Sequence, residues 1–215
     1  MRTYPLFLVH LEQARCVVVG GGRVAARKVR ALRKAGARVT IIAPQLSDPL
    51  RELTAAADVE VLERAYRHGD LEGAFLVIAA TDDPAINERV WEEAQGRGLL
   101  VNVVDDPDHC NFIAPSVVRR GPLTLAISTS GQCPALSRRI RKQLESEFGP
   151  VYGDYVALLG ELRHDAVDAL PLAERRVFWQ EIFESDVLSL LASGDREAAR
   201  RLARAILQRH VSGGA

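Results

Sequence analysis

Residues 16–28 read Cys-Val-Val-Val-Gly-Gly-Gly-Arg-Val-Ala-Ala-Arg-Lys, and no other stretch restricts the fold as much. Cys16, Val17, Val18 and Val19 predict a strand buried on both faces. Gly20, Gly21 and Gly22 follow, and an amphipathic helix begins directly after them. Strand, glycine turn and helix in that order are the context in which a glycine motif holds a dinucleotide. Gly20 permits the tight turn, and Gly22 lets backbone approach a pyrophosphate with no Cβ in the way. Ala25 stands where a small residue allows close helix–strand packing. The amides of Arg23 and Val24 then open the helix and point at the phosphates. The same pattern without a ligand would be a plain glycine-rich turn; the flanking periodicity favours the dinucleotide site.

The rest of the first half repeats the alternation. Leu6–Val9 predicts a small lead-in strand. Ala25, Val29 and Leu32 give the first helix its apolar face, and Gly36 ends it as a C′ residue. Arg23, Arg27, Lys28, Arg30, Arg33 and Lys34 occupy most of the remaining face and read as solvated, with Arg23 close enough to the turn to touch a cofactor. Strands are expected at 39–43, 59–63, 75–80 and 99–104. A short helix is expected at 47–56, a helical turn near Asp70–Leu71, and a helix from Pro84 to about Arg97 with Asp82 or Asp83 as N-cap. This is the pattern of a parallel sheet covered on both faces. Beyond it, 123–128 reads as a strand and Pro134 opens a helix to about Phe148. Helices then follow at 151–165, 172–192 and 195–209.

The 215 residues suit one large domain or two small ones, and 47% hydrophobic content allows a sizeable core. Zero net formal charge argues against a protein devoted to gripping nucleic acid. No apolar run reaches the length of a membrane span, and the first residues lack a secretory apolar stretch. Cys16, Cys110 and Cys133 suggest neither a disulfide framework nor a zinc site, so a cytoplasmic protein is expected.

In open parallel sheets, ligands bind beyond the carboxyl ends of the strands, where the loops at Gly20–Val24, Ala43–Gln45, Thr81–Asp82 and Asp105–Cys110 would meet. The second strand ends Ala43-Pro44-Gln45 without the carboxylate that usually holds the adenosine ribose. Ribose recognition therefore falls to backbone groups or Gln45, and the lack of Arg or Lys in 40–46 favours NAD over NADP. Asn102-Val103-Val104-Asp105-Asp106-Pro107-Asp108-His109 sends three carboxylates and an imidazole out of a strand end beside the nicotinamide position. Removing hydrogen from carbon needs a hydride acceptor and a base, and Asp105, nearest the strand, is the first candidate. Asp-Asp-Pro-Asp is equally a turn sequence. His109 reads as a second acid/base, a metal contact or neither. Residues 116–143 hold six basic residues (Arg119, Arg120, Arg138, Arg139, Arg141, Lys142) and no acid. They are solvated, paired within a dimer, or arranged for an anionic partner. Thr129-Ser130-Gly131 before a helix start fits a small polycarboxylate better than nucleic acid.

These residues resemble a known family, precorrin-2 dehydrogenase, the dehydrogenase/chelatase module of siroheme synthase. The resemblance runs in order over nearly the whole chain. It takes in Tyr4–Phe7, Cys16–Lys28, Ala79–Asp83, Val101–Asp105, Asn111–Ser116, Ser128–Thr129, Pro134–Leu136 and Glu174–Trp179. It implies NAD-dependent oxidation of precorrin-2 to sirohydrochlorin, with ferrous iron insertion in some members. The family's catalytic aspartate falls on Asp105, and its cofactor contacts on Gly20, Gly21, Gly22, Arg23, Val24, Ala43, Pro44, Gln45, Thr81 and Asp82. Candidate substrate contacts are Asn102, His109, Ser128, Thr129 and Arg138, and no metal ligands are assigned. The implied architecture is α/β: a Rossmann-type NAD-binding domain over 1–113, a small α+β dimerisation region over 114–149, and a helical region over 150–215, paired as a homodimer. The eight carboxylates of the tetrapyrrole would account for the basic segment. The loop after Thr129 departs from the relatives' Gly-Gly-x-Ser-Pro, reading Ser130-Gly131-Gln132-Cys133-Pro134, and with it the expectation of phosphorylation at Thr129. Methylation of uroporphyrinogen is expected from another protein. Rival readings are a non-catalytic NAD-sensing or tetrapyrrole-carrier module and a chelatase without redox chemistry.

Overall fold

The computed structural model describes residues 3–213 and divides into two compact units, Met1–Ala114 and Pro115–Ala215. In the first, β1 (Arg15–Val19) is the middle strand of a five-stranded parallel sheet of order β3-β2-β1-β4-β5. Its partners are β2 (Arg38–Ile42), β3 (Val59–Leu62), β4 (Leu76–Ala79) and β5 (Leu100–Val103). Cys16 and Val18 enter one apolar cluster and Val17 and Val19 the other. This is the period-2 alternation of a strand covered on both faces. Burial pushes the Cys16 thiol up to about 11, so it acts as a small hydrophobe rather than a nucleophile.

Helix α1 (Arg23–Lys34) buries Ala25, Ala26, Val29 and Leu32 on one side of the sheet, and the four-residue α2 (Asp48–Arg51) adds Leu50 there. Gly36 follows the C-cap at φ 87°, the left-handed backbone that a helix stop of this kind needs. On the other side, α3 (Pro84–Gly96) contributes Val90 and Ala94. Of the two candidate caps, Asp83 is the one used: its carboxylate accepts from the amides of Ala85 and Ile86.

Two first-unit expectations fail. Leu6–Val9 is not a strand: the segment forms no ladder and its side chains are exposed. The four apolar residues lack a neighbouring strand to pair with, and propensity alone does not hold a strand. The helix expected at 47–56 stops at Arg51 and continues as turns.

Between β3 and β4 no helix forms, although Tyr66 and Leu71 are buried there. Polar contacts hold that crossover. Arg64 grips Asp70 through two nitrogens at 2.7 Å. The side chain of Glu93, 1% exposed, accepts from Tyr66 Oη at 2.5 Å, Gly69 N at 2.8 Å and Arg97 Nε at 2.9 Å. Burial raises the Glu93 pKa, but these hydrogen bonds outweigh it and the net direction is downward.

The second unit begins with an antiparallel hairpin missed in the sequence as a pair: β6 (Ser116–Arg120) and β7 (Leu123–Ile127), with Val118 facing Leu125. Its first strand ends in two arginines, which hid it. Arg120 donates to the carbonyls of Phe148 and Glu145 at the end of α4 (Pro134–Glu147). Helices α5 (Val151–Ala169), α6 (Leu172–Glu184), α7 (Val187–Ala192) and α8 (Arg196–Gly213) pack Leu162, Phe178, Ile182 and Ile206 together. The single helix expected over 172–192 is broken at Ser185-Asp186. The Ser185 hydroxyl bonds back to the Ile182 carbonyl at 2.7 Å, the competition with helix that Ser and Asp bring. No helix among the described residues is long and apolar enough to cross a membrane.

The Glu93 network yields a stability prediction. Glu93→Ala leaves the buried Tyr66 hydroxyl and Gly69 amide unpaired and should lower unfolding free energy by about 3 kcal/mol in urea titrations. Because the folded Glu93 pKa is depressed, its contribution is complete above the ordinary carboxylate range. It is lost as pH falls through the folded value, so the gap between wild type and Glu93→Gln should shrink on acidification. A gap that widened in acid would contradict the assignment.

Candidate functional site

The chain leaves β1 for β2 on one side and later returns to β4 on the other. The carboxyl ends of β1 and β4 therefore form the switch point of the sheet, where ligands of such folds bind. All five strands are parallel, so the loops beginning at Gly20, Ala43, Ala80 and Val104 leave from one edge.

The three glycines have three different reasons. Gly20 has φ 130°, and a Cβ there would overlap the Ala80 carbonyl oxygen. A Cβ on Gly21 would overlap the Gln45 carbonyl oxygen; the Gly21 carbonyl itself accepts from Ser47 N at 2.8 Å. Gly22 is different: its φ is an ordinary −82° and nothing lies within 4 Å of a Cβ built there. The first two are required by the fold and the third is not. Gly22 is the N-cap of α1 with no side-chain cap, and the first-turn amides of a helix have no partner within it. Open space in front of free amides fits a phosphate-bearing cofactor. Beside the turn, the Ser47 hydroxyl oxygen is buried without a hydrogen-bond partner among the described residues, a polar atom that no sequence motif marks.

Ala43 is buried, whereas Pro44 and Gln45 are exposed, leaving the Gln45 amide as the polar side chain of that loop. The Thr81 hydroxyl lies 2.8 Å from Asn87 Oδ1 and 3.0 Å from the Asp83 carbonyl, and Asn87 Nδ2 donates to the Thr81 carbonyl. Thr81 is thus held by Asn87, a helix residue whose role periodicity cannot reveal; Asp82 is exposed.

Asp105 leaves β5 exposed and at φ 61°, the left-handed region, which Asp tolerates better than most residues. The loop carrying it is fastened from below. Asn102, 9% exposed, donates to the Phe112 carbonyl at 3.1 Å and to Cys110 Sγ at 3.3 Å. Asn111 brackets the base of β5 through Val101 N and the Leu99 carbonyl. The amide nitrogen of Asn102, read from the sequence as a substrate contact, is engaged in holding this loop.

His109 Nδ1 lies 2.6 Å from Asp106 Oδ2, and the ring stands edge-on to Trp91 with centroids 4.6 Å apart. The hydrogen bond to Asp106 raises the His109 pKa, with the charges of Asp106, Glu88 and Asp108 acting in the same direction and burial against them. It lowers that of Asp106 in turn. Among the described residues, no group of three or more His, Cys, Asp or Glu could hold a metal.

Lys28, read as part of a solvated face, is half-buried. Burial lowers its pKa, as does the charge of Arg27; Cys110 and Asp105 act in the opposite direction.

Ser128, Thr129 and Arg138 belong to the second unit. Thr129 Oγ1 accepts from Cys133 N at 3.1 Å, and Ser128 Oγ accepts from Ser130 N at 3.0 Å. Both are turn hydrogen bonds. Ser130 and Gly131 have φ 52° and 79°. Within the basic segment, Arg120 serves the hairpin and Arg141 pairs with Glu145. Arg138, Arg139 and Lys142 line an open groove along α4 of about 590 Å³.

Three family models match the chain in succession. Residues 7–116 match a putative NAD(P)-binding family, 120–147 the sirohaem biosynthesis protein central region, and 151–207 the sirohaem synthase dimerisation region. The dimerisation description thus falls on the helices rather than on the 114–149 segment expected to carry it. Siroheme synthase of Pseudomonas aeruginosa PAO1 is 43% identical over 212 residues, covering 98% of this chain and 44% of the relative. Siroheme synthase of Methylobacillus flagellatus is 40% identical over 208 residues, covering 96% and 44%. The chain therefore spans less than half the length of these relatives. A solved structure titled SirC, precorrin-2 dehydrogenase, superposes with TM-score 0.78 at 28% identity, covering 94% of this chain and 99% of that one.

The glycine geometry separates fold from ligand. Gly22→Ala should keep the wild-type melting temperature within about 2 °C and weaken NAD⁺ binding roughly tenfold, read by calorimetric titration. Gly20→Ala should lower the melting temperature outright. Unchanged NAD⁺ affinity in Gly22→Ala would remove the turn from the cofactor site.

Proposed function

Since the chain belongs to the siroheme synthase family, through its NAD(P)-binding, central and dimerisation regions, we propose that it oxidises precorrin-2 to sirohydrochlorin with NAD⁺. The observation that carries this reading is the position of Asp105: an exposed carboxylate on the loop leaving β5, at the same sheet edge as the glycine turn.

The oxidation removes a hydride and a proton from the tetrapyrrole. NAD⁺, when bound, accepts the hydride. The glycine turn holds the pyrophosphate by its backbone, and Gln45 and Thr81–Asp82 border the rest of the dinucleotide. Asp105 takes the proton at its carboxylate. Its backbone conformation is fixed by the fastening of residues 110–112 to β5, so the base is held in place before substrate arrives. Within the second unit taken by itself, Arg138, Arg139 and Lys142 along α4 offer cations suited to an anionic ligand. The chain acts as a homodimer in the cytoplasm, paired through its helical region.

Metal insertion is the natural second activity. Fe²⁺ enters there as substrate, and the two pyrrole protons it displaces are taken one after the other by the Asp105 carboxylate, which passes each to solvent before accepting the next. The relatives' name, siroheme synthase, favours it. Sirohydrochlorin with Fe²⁺ should give siroheme faster with the protein than without; equal rates would leave the oxidation alone.

Asp105→Asn removes the charge while keeping a side chain suited to left-handed backbone. It should reduce NADH formation from precorrin-2 about a hundredfold or more and leave NAD⁺ affinity within about twofold. Wild-type turnover in this variant would reassign the base.

A further inference from the structure

The six basic residues of α1 fall into two groups. In the second half of the helix, Arg30 donates to the Pro49 carbonyl at 3.2 Å and Arg33 pairs with Asp58 at 2.8 Å. In the first half, the side chains of Arg23, Arg27 and Lys28 make no hydrogen bond and no ion pair with any described residue. Arg23 and Arg27 are exposed, where water serves them. Lys28 is half-buried, close enough to Arg27 for the two charges to repel and to Asp105 for attraction, yet in no ion pair with any described residue.

An ammonium partly stripped of water and without a counter-ion is an unfavourable arrangement that an incoming anion relieves. Building on the functional reading above, we propose that Lys28 receives a carboxylate of the tetrapyrrole and, with Arg27 behind it, positions the substrate against Asp105. Three features select a carboxylate of the substrate over a phosphate of the cofactor. The phosphates are met by the free amides at the start of α1 and by Arg23, whereas Lys28 lies more than a turn further along, in the field of Asp105. The loop 105–109 carries three acids, so a polycarboxylate approaching it meets like charge unless a cation stands there. His109 does not fill that place: the acids that favour its charge, Asp106 at 2.6 Å with Asp108 and Glu88 nearby, are the ones that already balance it. A lysine suits the task, since its flexible stem lets a point charge follow one carboxylate without the fixed fork of an arginine.

The test is equilibrium binding of sirohydrochlorin, followed by its absorbance, and of NAD⁺, by calorimetry, to the full chain and its variants. Lys28→Gln should weaken sirohydrochlorin roughly fivefold, and Lys28→Arg should recover most of that loss. NAD⁺ affinity should stay within about twofold in both, and the variant should lose part of the salt dependence of sirohydrochlorin binding. Undiminished sirohydrochlorin binding in Lys28→Gln overturns the proposal, as does a parallel loss of NAD⁺ affinity, which would make Lys28 a cofactor or purely structural residue. The functional reading fails separately, if the wild type yields no NADH from precorrin-2 while sirohydrochlorin still binds through Lys28.

Discussion

Two contacts between backbones, too close for any side chain, set the geometry of the site edge. Gly20 lies against the Ala80 carbonyl and Gly21 against the Gln45 carbonyl. The loops after β1, β2 and β4 are thereby fixed relative to one another, with Gly20 N–H also bonded to the Ile42 carbonyl at 2.9 Å. Protein interiors do not deform continuously, so a methyl at either place would have to separate these loops rather than be absorbed. What remains in front of the locked turn is the space at Gly22 and the free amides of α1. The fold needs two of the glycines and leaves open space at the third.

The loop after β5 is built on a different principle. No glycine contact of that kind holds it; an antiparallel bridge between Asn102 and Cys110, with Asn111 N donating to the Val101 carbonyl at 3.0 Å, and two asparagine side chains do. Asn102 and Asn111 fasten the returning chain at 110–112 to β5, and Cys110 donates to the carbonyls of Val103 and Asp106. Closing the loop on itself in this way places Asp105 in a backbone conformation that a free chain rarely visits. The Asp105 side chain makes no hydrogen bond with any described residue, while Asp106, His109 and Cys110 beside it are engaged with one another and with β5.

Much of this was legible from the residues. The run Cys16–Val19 needs both faces covered, the glycines must follow a strand, and Pro84 after Asp83 opens a helix; each follows from local chemistry. What escaped the sequence depends on partners distant along the chain. Leu6–Val9 has strand composition but no neighbour. Residues 63–75 bury Tyr66 and Leu71 without regular structure because Glu93, on a helix beyond the next strand, supplies the acceptors. The β6 strand was masked by Arg119 and Arg120, the second of which turns out to be a hydrogen-bond donor to α4. Ser47 and Asn87 carry no motif and become visible only by the atoms they face.

The charges on α1 show why composition could not separate structure from function there. Lys34 and Arg33 sit in the last turn, where the helix dipole favours cations, and Arg33 also reaches Asp58. Arg23 occupies the first helical position, where the same dipole disfavours it, and the first turn holds no acid to compensate. By the dipole alone, the helix would be a few tenths of a kcal/mol better off with a neutral or acidic residue at that end. Arg27 and the half-buried Lys28 follow in the second turn and add further positive charge to this half of the helix. An anion bound in front of the helix adds attraction to the dipole and to Arg23, and one bound further along adds attraction to Lys28, which offsets the repulsion among the cations without removing it. The N-terminal half of α1 is therefore an arrangement whose electrostatics are unfavourable empty and improved when filled, whereas the C-terminal half is satisfied by the protein itself.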